Sequence, residues 1–495
     1  MRGYKIILPA ENRVLLAEEG TTLLAALREA GFAPEAPCGG NGTCGKCKVL
    51  VDGAEVFSCR TVVARDMRVL LPGKAETAIL ARGIDPEKRL VPGKEGYLLA
   101  IDIGTTTVVC YLLDGGTGEE LAHASSLNPQ APYGADVISR IQAALKGELE
   151  ALTDCIRQCL EGLIREVSDK AGVAPEQIRL VSVVGNPAMQ QLFLGISPEN
   201  LARIPFAPVL TEAGKIPAGD CLPLCKQAEL LIIPDISGYV GADTLACVLA
   251  VGQEKCEEMT LLVDIGTNGE MVLGSREGLV ACSTAAGPAL EGANIRFGMR
   301  GAPGAIDHVW LENGEIRHSV IGGGEARGIC GSGLIDAVAV LLDAGMINRR
   351  GRILSGAEAE GQLAIFLTLE IYLTQEDIRE VQLAKGAIAA GIELMAREVG
   401  VGLEDIHRVL LAGAFGSFMN PESACRIGLL PEALRGKITA IGNAAGSGAR
   451  LLALDDARLE QAQELKDRVR FLELAQLPEF RRVFAKNMNF REGES

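Results

Sequence analysis

The chain has 495 residues and a formal net charge of −16, from 48 Lys and Arg against 64 Asp and Glu. This length exceeds that of one ordinary domain, so we expect two or three domains. Hydrophobic residues make up 48% of the chain, which is enough to form their cores. Such acidity argues against nucleic acid or an anionic membrane surface as a partner. No run approaches the ~18 apolar residues of a membrane span. The amino-terminal apolar runs are short and are broken by Pro9, Glu11 and Arg13, so we expect no signal peptide and a cytoplasmic protein.

The pattern of residues 1–75 predicts a small β-rich domain. Two strands, a short helix and two further strands follow one another, an order that fits a β-grasp ferredoxin. Thr21 and Thr22 can cap the helix, and Gly31 can end it. The predicted elements are strands 5–8 and 14–17, helix 23–30, and strands 48–51 and 67–71.

Four cysteines of this domain have the spacing C-x5-C-x2-C-x11-C: Cys38, Cys44, Cys47 and Cys59. Thiolates stabilise ferric iron, and four of them hold a [2Fe–2S] cluster. Glycines between them permit a tightly wrapped loop, because glycine tolerates positive φ. The motif resembles that of plant- and adrenodoxin-type ferredoxins, with a shorter gap between the last two cysteines. A structural zinc site with four cysteine ligands is the alternative.

The remaining ten cysteines are predicted to be buried free thiols. Two pairs with i, i+4 spacing, Cys155 with Cys159 and Cys221 with Cys225, have metal binding as the alternative.

An internal repeat organises the chain beyond residue 97. The segment 99–105, LAIDIGT, recurs at 262–267 as LVDIGT, and VSVVGN at 181–186 recurs loosely at 409–414 as VLLAGA. A duplicated unit predicts two similar α/β lobes that face one another across a cleft.

The domain boundaries follow from this repeat. Residues 76–96 are predicted to be a linker, because their Pro, Gly and charged residues lack periodicity. The two lobes are assigned to residues 97–255 and 256–440. Residues 441–495 are assigned to a carboxyl-terminal segment that returns to the first lobe.

Both copies of the repeat end in Asp-x-Gly-Thr. Glycine at a strand end lets the backbone turn and expose N–H groups and threonine hydroxyls to a phosphate chain. Asp102 and Asp264 can hold Mg²⁺ through its waters. Glu270 is a candidate for positioning the attacking water, with a solvated turn residue as the alternative. Two such loops predict a clamp on a triphosphate, with the candidate contacts Gly104, Thr105, Thr106, Thr107, Gly266, Thr267, Asn268 and Gly269.

A small-residue turn at 410–417 resembles the adenosine motif of the superfamily that unites actin, sugar kinases and heat-shock chaperones (ASKHA). The segment 442–449, GNAAGSGA, resembles that superfamily's second connecting segment. Gly331 and Ser332 open another helix and are candidates to border the nucleotide, with tight helix packing by glycine as the alternative. The candidate adenosine contacts are Gly413, Ala414, Phe415 and Gly416.

The predicted fold class is therefore α+β and α/β. An amino-terminal β-grasp [2Fe–2S] ferredoxin-like domain precedes a two-lobed actin-like ATPase body of the ASKHA fold. The chain lacks G-x-x-x-x-G-K-[ST], so a P-loop enzyme is excluded.

This combination resembles the reductive activators of corrinoid-dependent enzymes. Five segments match: 184–189 (VGNPAM), 236–243 (ISGYVGAD), 286–292 (AGPALEG), 373–379 (LTQEDIR) and 383–385 (LAK). The resemblance implies ATP-dependent reduction of cobalt(II) to cobalt(I) in a corrinoid protein, with a [2Fe–2S] cluster, ATP and Mg²⁺. It also implies an upstream low-potential electron donor and leaves a homodimer as one form of assembly. Larger members carry a middle domain where only about 25 residues intervene here, so we expect that domain to be missing.

Three other functions compete with this interpretation. One is an ATP-driven activator of another low-potential enzyme, such as a 2-hydroxyacyl-CoA dehydratase. Another is a kinase with a redox-sensing ferredoxin domain, which needs a phosphoryl acceptor site and a base. The third is an actin-like filament protein, for which an attached ferredoxin has no rationale.

Overall fold

The computed structural model describes residues 3–11, 13–32, 34, 36, 40, 42, 46–71, 80–84 and 96–491. Cys38 and Cys44 lie outside the described residues, as does most of the predicted linker. Across these ranges, no helix combines the length and apolar character needed to cross a bilayer.

The amino-terminal module is one mixed sheet with a helix packed on one face. Ile6 and Leu8 of the first strand are buried beneath Leu23 and Leu27 of the helix, and the hydroxyl of Thr22 caps the helix by accepting from the Ala25 N–H at 3.2 Å. The β-grasp prediction is confirmed. The elements are β1 (Gly3–Leu8), β2 (Arg13–Glu18), α1 (Leu23–Glu29), β3 (Lys48–Val51), β4 (Ala54–Phe57) and β5 (Met67–Leu70), with sheet order β2-β1-β5-β3-β4.

The first lobe is a six-stranded sheet covered by helices. Alternate residues of its first strand face opposite buried layers, Leu98 and Ala100 on one side and Leu99 and Ile101 on the other. Its strands are β6 (Tyr97–Ile103), β7 (Thr107–Asp114), β8 (Glu120–Leu127), β9 (Ile178–Gly185), β10 (Gly214–Pro217) and β11 (Glu229–Ile232), in the order β10-β11-β9-β6-β7-β8. Its helices are α2 (Val137–Ala143), α3 (Leu149–Ala171), α4 (Pro187–Leu194) and α5 (Ala242–Val251).

The second lobe contains a six-stranded sheet and two small sheets. The large sheet and the small ones comprise β12 (Thr260–Ile265), β13 (Gly269–Ser275), β14 (Gly278–Thr284), β15 (Ala305–Glu312), β16 (Glu315–Val320), β17 (Gly328–Ile329), β18 (Ala357–Ala359), β19 (Gln362–Phe366), β20 (Tyr372–Leu373), β21 (Arg408–Ala412), β22 (Ile438–Gly442) and β23 (Val469–Phe471). The sheet orders are β22-β21-β12-β13-β14-β23, β16-β15-β17 and β18-β19-β20. The helices are α6 (Gly331–Asp343), α7 (Gln375–Val399), α8 (Gly413–Phe418), α9 (Pro421–Ile427), α10 (Ala444–Leu454), α11 (Ala457–Arg468) and α12 (Phe480–Asn487).

The two large sheets share one topology. In the first lobe β6 pairs antiparallel with β7 and parallel with β9, and β7 pairs antiparallel with β8. In the second lobe β12 pairs in the same way with β13 and β21, and β13 with β14. The sequence repeat therefore corresponds to equivalent strands, β6 with β12 and β9 with β21.

Helices α5 and α10 lie between the two sheets. One continuous core joins residues of β6 and β12 to Leu245 of α5 and Leu452 of α10. The helices cross so closely that a Cβ on Gly448 would lie 2.1 Å from the carbonyl oxygen of Ala246. Glycine at this position therefore permits the close approach of α5 and α10.

The carboxyl-terminal segment 441–495 does not stay on the first lobe, so that prediction is wrong for its last part. Helix α10 lies against β6 and β9, but β23 then pairs with β14 in the second sheet and α12 packs against α7. The physical reason is that polar groups of the second lobe find hydrogen-bond partners in this last part of the chain. The β14 edge has ladder groups to satisfy, and the buried Lys385 ammonium of α7 donates to the Asn489 carbonyl at 2.7 Å.

We predict that Gly448→Ala destabilises the body by about 1–3 kcal/mol, because the added methyl overpacks the α5–α10 crossing. Gly162→Ala is the matched control, since Gly162 lies in α3 and no other atom lies within 4 Å of the place that an alanine methyl would occupy. Alanine at this exposed position of α3 should stabilise the protein by about 0.5–1 kcal/mol. Thermal unfolding of both variants measures the difference. A rise in the unfolding temperature of both variants, or a fall in both, would contradict the tight packing at the α5–α10 crossing.

Candidate functional site

The two Asp-x-Gly-Thr loops lie at corresponding ends of the two sheets. Each connects a hairpin, β6–β7 or β12–β13, at the end where the parallel neighbour strand also finishes. The Gly104 N–H donates to the Thr107 carbonyl at 2.9 Å, and the Gly266 N–H donates to the Asn268 carbonyl at 2.9 Å. The carboxyl ends of parallel strands are where open α/β sheets bind ligands.

The side chains of Asp102 and Asp264 lie on the faces of the two sheets that are directed toward the cleft. Side chains alternate along a strand, so Asp102 faces the same side as Leu98 and Ala100, and Asp264 the same side as Leu262, all of which belong to the core between the lobes. Glu270 is the cross-strand partner of Asp264 and accepts from the Ser283 hydroxyl at 3.2 Å. All three carboxylates thus point between the lobes.

The cleft environment raises the pKa values of these acids. Loss of water raises the pKa of Asp102 to about 7, helped by the charges of Asp243 and Asp264 and opposed by a hydrogen bond from Asn443. The pKa of Asp264 is raised to about 7 by the same desolvation and by Asp243 and Glu291. Desolvation raises the pKa of Glu270 well above its usual range. Concentrated negative charge of this kind suits a site that receives a cation.

Asp243 is a member of this acidic cluster that sequence reasoning missed. Its charge acts on Asp102, Asp264 and Glu270, and desolvation raises its own pKa to about 6. It stands in the first turn of α5, directly after Gly241 and Ala242. A glycine followed closely by an acid at a helix start, within the matched segment 236–243, was the available signal.

Glu291 is the second missed residue, and it joins the two loops. Its Oε2 accepts from the Thr106 hydroxyl at 2.9 Å and from the Thr267 hydroxyl at 3.0 Å. Glu291 ends a short helical turn, Pro288–Glu291. The two Asp-x-Gly-Thr loops therefore share one carboxylate oxygen across the cleft.

Asn443 is the third missed residue. Its Nδ2 donates to Asp102 Oδ2 at 2.9 Å, and its backbone N–H donates to the Arg82 carbonyl at 3.0 Å. The Ser447 hydroxyl donates to the Ile84 carbonyl at 2.8 Å. Part of the predicted linker, residues 80–84, is thereby fixed beside the first Asp-x-Gly-Thr loop.

The turn that resembles the adenosine motif adjoins the second Asp-x-Gly-Thr loop. Gly413 has φ of +80°, and a Cβ there would lie 2.6 Å from Asp264 Oδ1. A Cβ on Gly331 would lie 1.9 Å from the Leu290 carbonyl oxygen and 2.7 Å from the Phe415 ring, and the Ser332 hydroxyl donates to the Asp307 carbonyl at 2.9 Å. The close approach at Gly331 agrees with the packing alternative, while a place beside the nucleotide stays a prediction for Gly331 and Ser332.

The described part of the cysteine motif fits a metal cluster. Cys47 Sγ and Cys59 Sγ are 3.3 Å apart, close enough to ligate one iron ion. Gly40 and Gly42 have φ of +94° and +77°, and a Cβ on Gly42 would lie 2.8 Å from Arg60 Nε. The loop thus uses the glycine conformations that cluster wrapping needs, while Cys38 and Cys44 lie outside the described residues.

Elsewhere in the described ranges, no three His, Cys, Asp or Glu side chains converge closely enough to ligate a metal directly. Burial raises the pKa of Cys155 to about 12 and also raises that of Cys159.

The fold and the site define an ASKHA-type body joined to a [2Fe–2S] module, and family models match both parts. Residues 7–71 match the 2Fe-2S iron-sulfur cluster binding domain, residues 97–255 the RACo middle region, and residues 258–495 the C-terminal domain of RACo, the ASKHA domain. The expectation that this chain lacks a middle domain is wrong, because residues 97–255 match that model. The sequence repeat predicts an ATPase lobe over the same residues, and that assignment stays a prediction.

Similar proteins cover most of the chain. The corrinoid activation enzyme RamQ of Eubacterium limosum is 37% identical over 418 residues, 80% of this chain and 70% of that protein. The [Co(II) methylated amine-specific corrinoid protein] reductase of Methanosarcina barkeri is 29% identical over 408 residues, 75% of this chain and 73% of that protein. A solved structure of a reductive activator for corrinoid, iron-sulfur protein is 29% identical with a TM-score of 0.73 and covers 98% of each chain. The chain belongs to the family of corrinoid activation enzymes.

We predict that Cys59→Ser removes the visible absorption of the anaerobically purified protein, while the wild type contains about two irons and two sulfides per chain. Cys256→Ser is the control, because that thiol lies in the body and donates to the Gly252 carbonyl. Iron, zinc and sulfide analyses with absorption spectra measure the result. A colourless wild type with stoichiometric zinc would contradict the cluster.

A second prediction concerns the pH dependence of stability without nucleotide or Mg²⁺. Because burial raises the pKa of Asp243 from 3.8 to about 6, the native state binds more protons than the unfolded state between these values, so stability falls as pH rises. Asp243→Asn keeps an oxygen for the Thr244 N–H (2.7 Å) and removes the charge. We expect stabilisation on the order of 1–3 kcal/mol at pH 8, shrinking towards pH 5.

Thermal unfolding at pH 5, 6.5 and 8 measures this difference. Asp154→Asn, at an exposed position of α3, is the control and should show no pH-dependent difference. An Asp243→Asn protein less stable than wild type at pH 8 would contradict the electrostatic cost.

Proposed function

We propose that this chain uses ATP to drive reduction of cobalt(II) to cobalt(I) in a corrinoid protein. The observation that carries the proposal is similarity to a corrinoid activation enzyme over 80% of the chain. The same chain joins a four-cysteine module to a nucleotide-binding fold, so one molecule contains both an electron carrier site and an energy input.

ATP is needed because the cobalt(II)/cobalt(I) couple has a low reduction potential. When bound, a [2Fe–2S] cluster of the plant type supplies single electrons near roughly −400 mV. Each ~59 mV of shortfall costs tenfold in the equilibrium of a one-electron transfer. Nucleotide binding can offset that shortfall only if it favours one cobalt state of the partner over the other.

We assign roles to the cleft residues on this basis. The loops with Thr106 and Thr267 bind the phosphates from both lobes. Asp102, Asp264 and Asp243 hold Mg²⁺ through its waters, which agrees with carboxylates that are close enough to interact electrostatically but do not converge as direct ligands. Glu270, behind Asp264 on the next strand, orients the attacking water.

The remaining assignments concern the nucleoside and the partners. The turn at Gly413, Ala414, Phe415 and Gly416 receives the adenosine, and Gly331 supports it by packing against Phe415. The cluster is held by Cys38, Cys44, Cys47 and Cys59. An upstream low-potential donor reloads it in the cytoplasm, and a homodimer stays a prediction for the assembly.

The test mixes the anaerobic protein, a reductant, Mg-ATP and a cobalt(II) corrinoid protein, and follows the visible spectrum of the corrinoid. We expect cobalt(I) only when all components are present. Asp264→Asn should slow ATP hydrolysis by roughly a hundred- to a thousandfold and retain a reducible cluster. Cys59→Ser should stop cobalt(I) formation and retain hydrolysis.

Asp154→Asn serves as the surface control and should behave like the wild type in both assays. Equal rates and yields of cobalt(I) with and without nucleotide would exclude the ATP-driven mechanism.

A further inference from the structure

The amino-terminal module contacts the second lobe through Lys46, the residue before Cys47. Lys46 Nζ donates to the Gly298 carbonyl at 2.9 Å and lies 3.5 Å from the Ile295 carbonyl oxygen. An ammonium held by two carbonyl oxygens is a directional contact, and it connects the cysteine loop to the segment after Glu291.

The same module contacts the first lobe through Arg28 of α1. The Arg28 guanidinium lies over the Tyr133 ring, 4.7 Å from its centroid, and donates to the Pro132 carbonyl. The module therefore touches both lobes, at residues 132–133 and at residues 295–298.

The first-lobe contact adjoins the first phosphate loop. The Asn128 N–H donates to the Thr106 carbonyl at 2.9 Å, and Asn128 Nδ2 donates to the Gly104 carbonyl at 2.7 Å. Asn128 Oδ1 then accepts from the Gln130 N–H at 2.9 Å, immediately before the turn Ala131–Tyr133.

The second-lobe contact adjoins both phosphate loops through Glu291. Gly292 follows Glu291, and a Cβ on Gly298 would lie 2.1 Å from the Gly292 carbonyl oxygen. A Cβ on Gly292 would lie 2.6 Å from the Met299 backbone nitrogen. The segment is thus folded tightly on itself, so a displacement of Glu291 must move the carbonyls that hold Lys46.

We propose that the phosphate end of the cleft is a docking surface for this chain's own [2Fe–2S] module, and that nucleotide binding weakens the docking through Glu291. Phosphate oxygens compete for the hydroxyls of Thr106 and Thr267 that Glu291 occupies, and their charge repels its carboxylate. Binding therefore displaces residues 291–298 and releases Lys46. The proposal rests on the proposed function only in requiring that the cleft binds ATP.

Linkage makes this proposal quantitative. If nucleotide weakens docking, then loss of docking must tighten nucleotide binding by the same factor. Lys46→Met and Arg28→Met both lie outside the cleft, yet each should lower the Kd for a non-hydrolysable ATP analogue about fivefold or more. If Glu291 had only a structural role, substitutions of Lys46 and Arg28 on the module would leave the Kd for the analogue unchanged.

The experiment is calorimetric titration of the full-length holoprotein with the Mg²⁺ complex of that analogue. Lys48→Met is the matched control, because Lys48 is two residues away and pairs with Glu55 at 2.8 Å on the module itself. Visible spectra establish that each variant retains its cluster. In the Glu291→Gln background, Lys46→Met should cause no further change in Kd, as expected when the coupling residue is gone.

Hydrogen exchange gives a second readout. The analogue should accelerate exchange of α1 and of residues 128–134 in the wild type, and leave both unchanged in Glu291→Gln. Unchanged or weaker analogue binding by both Lys46→Met and Arg28→Met, or equal tightening by Lys48→Met, would overturn the proposal. No corrinoid protein is present, so failure of cobalt reduction alone would count against the proposed function and leave the docking surface standing.

Discussion

The crossing of α5 and α10 is the contact on which the geometry of the cleft depends. These helices fill the space between the two sheets, and their approach at Gly448 and Ala246 leaves no room for a Cβ. Residues of both sheets, including β6 and β12, pack with this pair in one continuous core. The Asp-x-Gly-Thr loops that follow β6 and β12 share a single carboxylate oxygen, that of Glu291.

This geometry concentrates like charges where water is scarce. Desolvation raises the pKa values of Asp102, Asp264 and Asp243 together, and the charge of Asp243 raises those of the other two further. Such a cluster is expensive in the nucleotide-free protein at neutral pH. The proposed Mg²⁺ would offset that cost, and it would thereby couple stability to ligand binding at this site. A protein that changes shape with nucleotide can use this energy difference to favour one arrangement of its parts.

Three attachments of the amino-terminal region converge on the same end of the cleft. Lys46 reaches the second lobe, Arg28 reaches the first, and residues 80–84 are anchored on Asn443, which itself contacts Asp102. A module attached to the body only through a flexible linker would not make these contacts beside the Asp-x-Gly-Thr loops. This convergence is the structural basis of the proposed coupling between nucleotide binding and the position of the cysteine loop.

The sequence by itself determined the features that are local along the chain. Alternating apolar residues, glycine turns and helix caps specify the β-grasp module and the duplicated strands, since such signals act within a few residues. The spacing of the cysteines and the two Asp-x-Gly-Thr turns likewise indicated candidate site residues. Most of their assigned roles stay predictions.

The tertiary structure decided which distant side chains meet. Glu291 lies 185 residues from Thr106, and Asn443 lies 341 residues from Asp102, so no periodicity links them. The course of the carboxyl-terminal segment was also set this way, because pairing of β23 with β14 depends on which sheet edge is open. Contacts of this kind form only when whole lobes pack together. That packing leaves no recognisable pattern in the sequence around the residues that make contact.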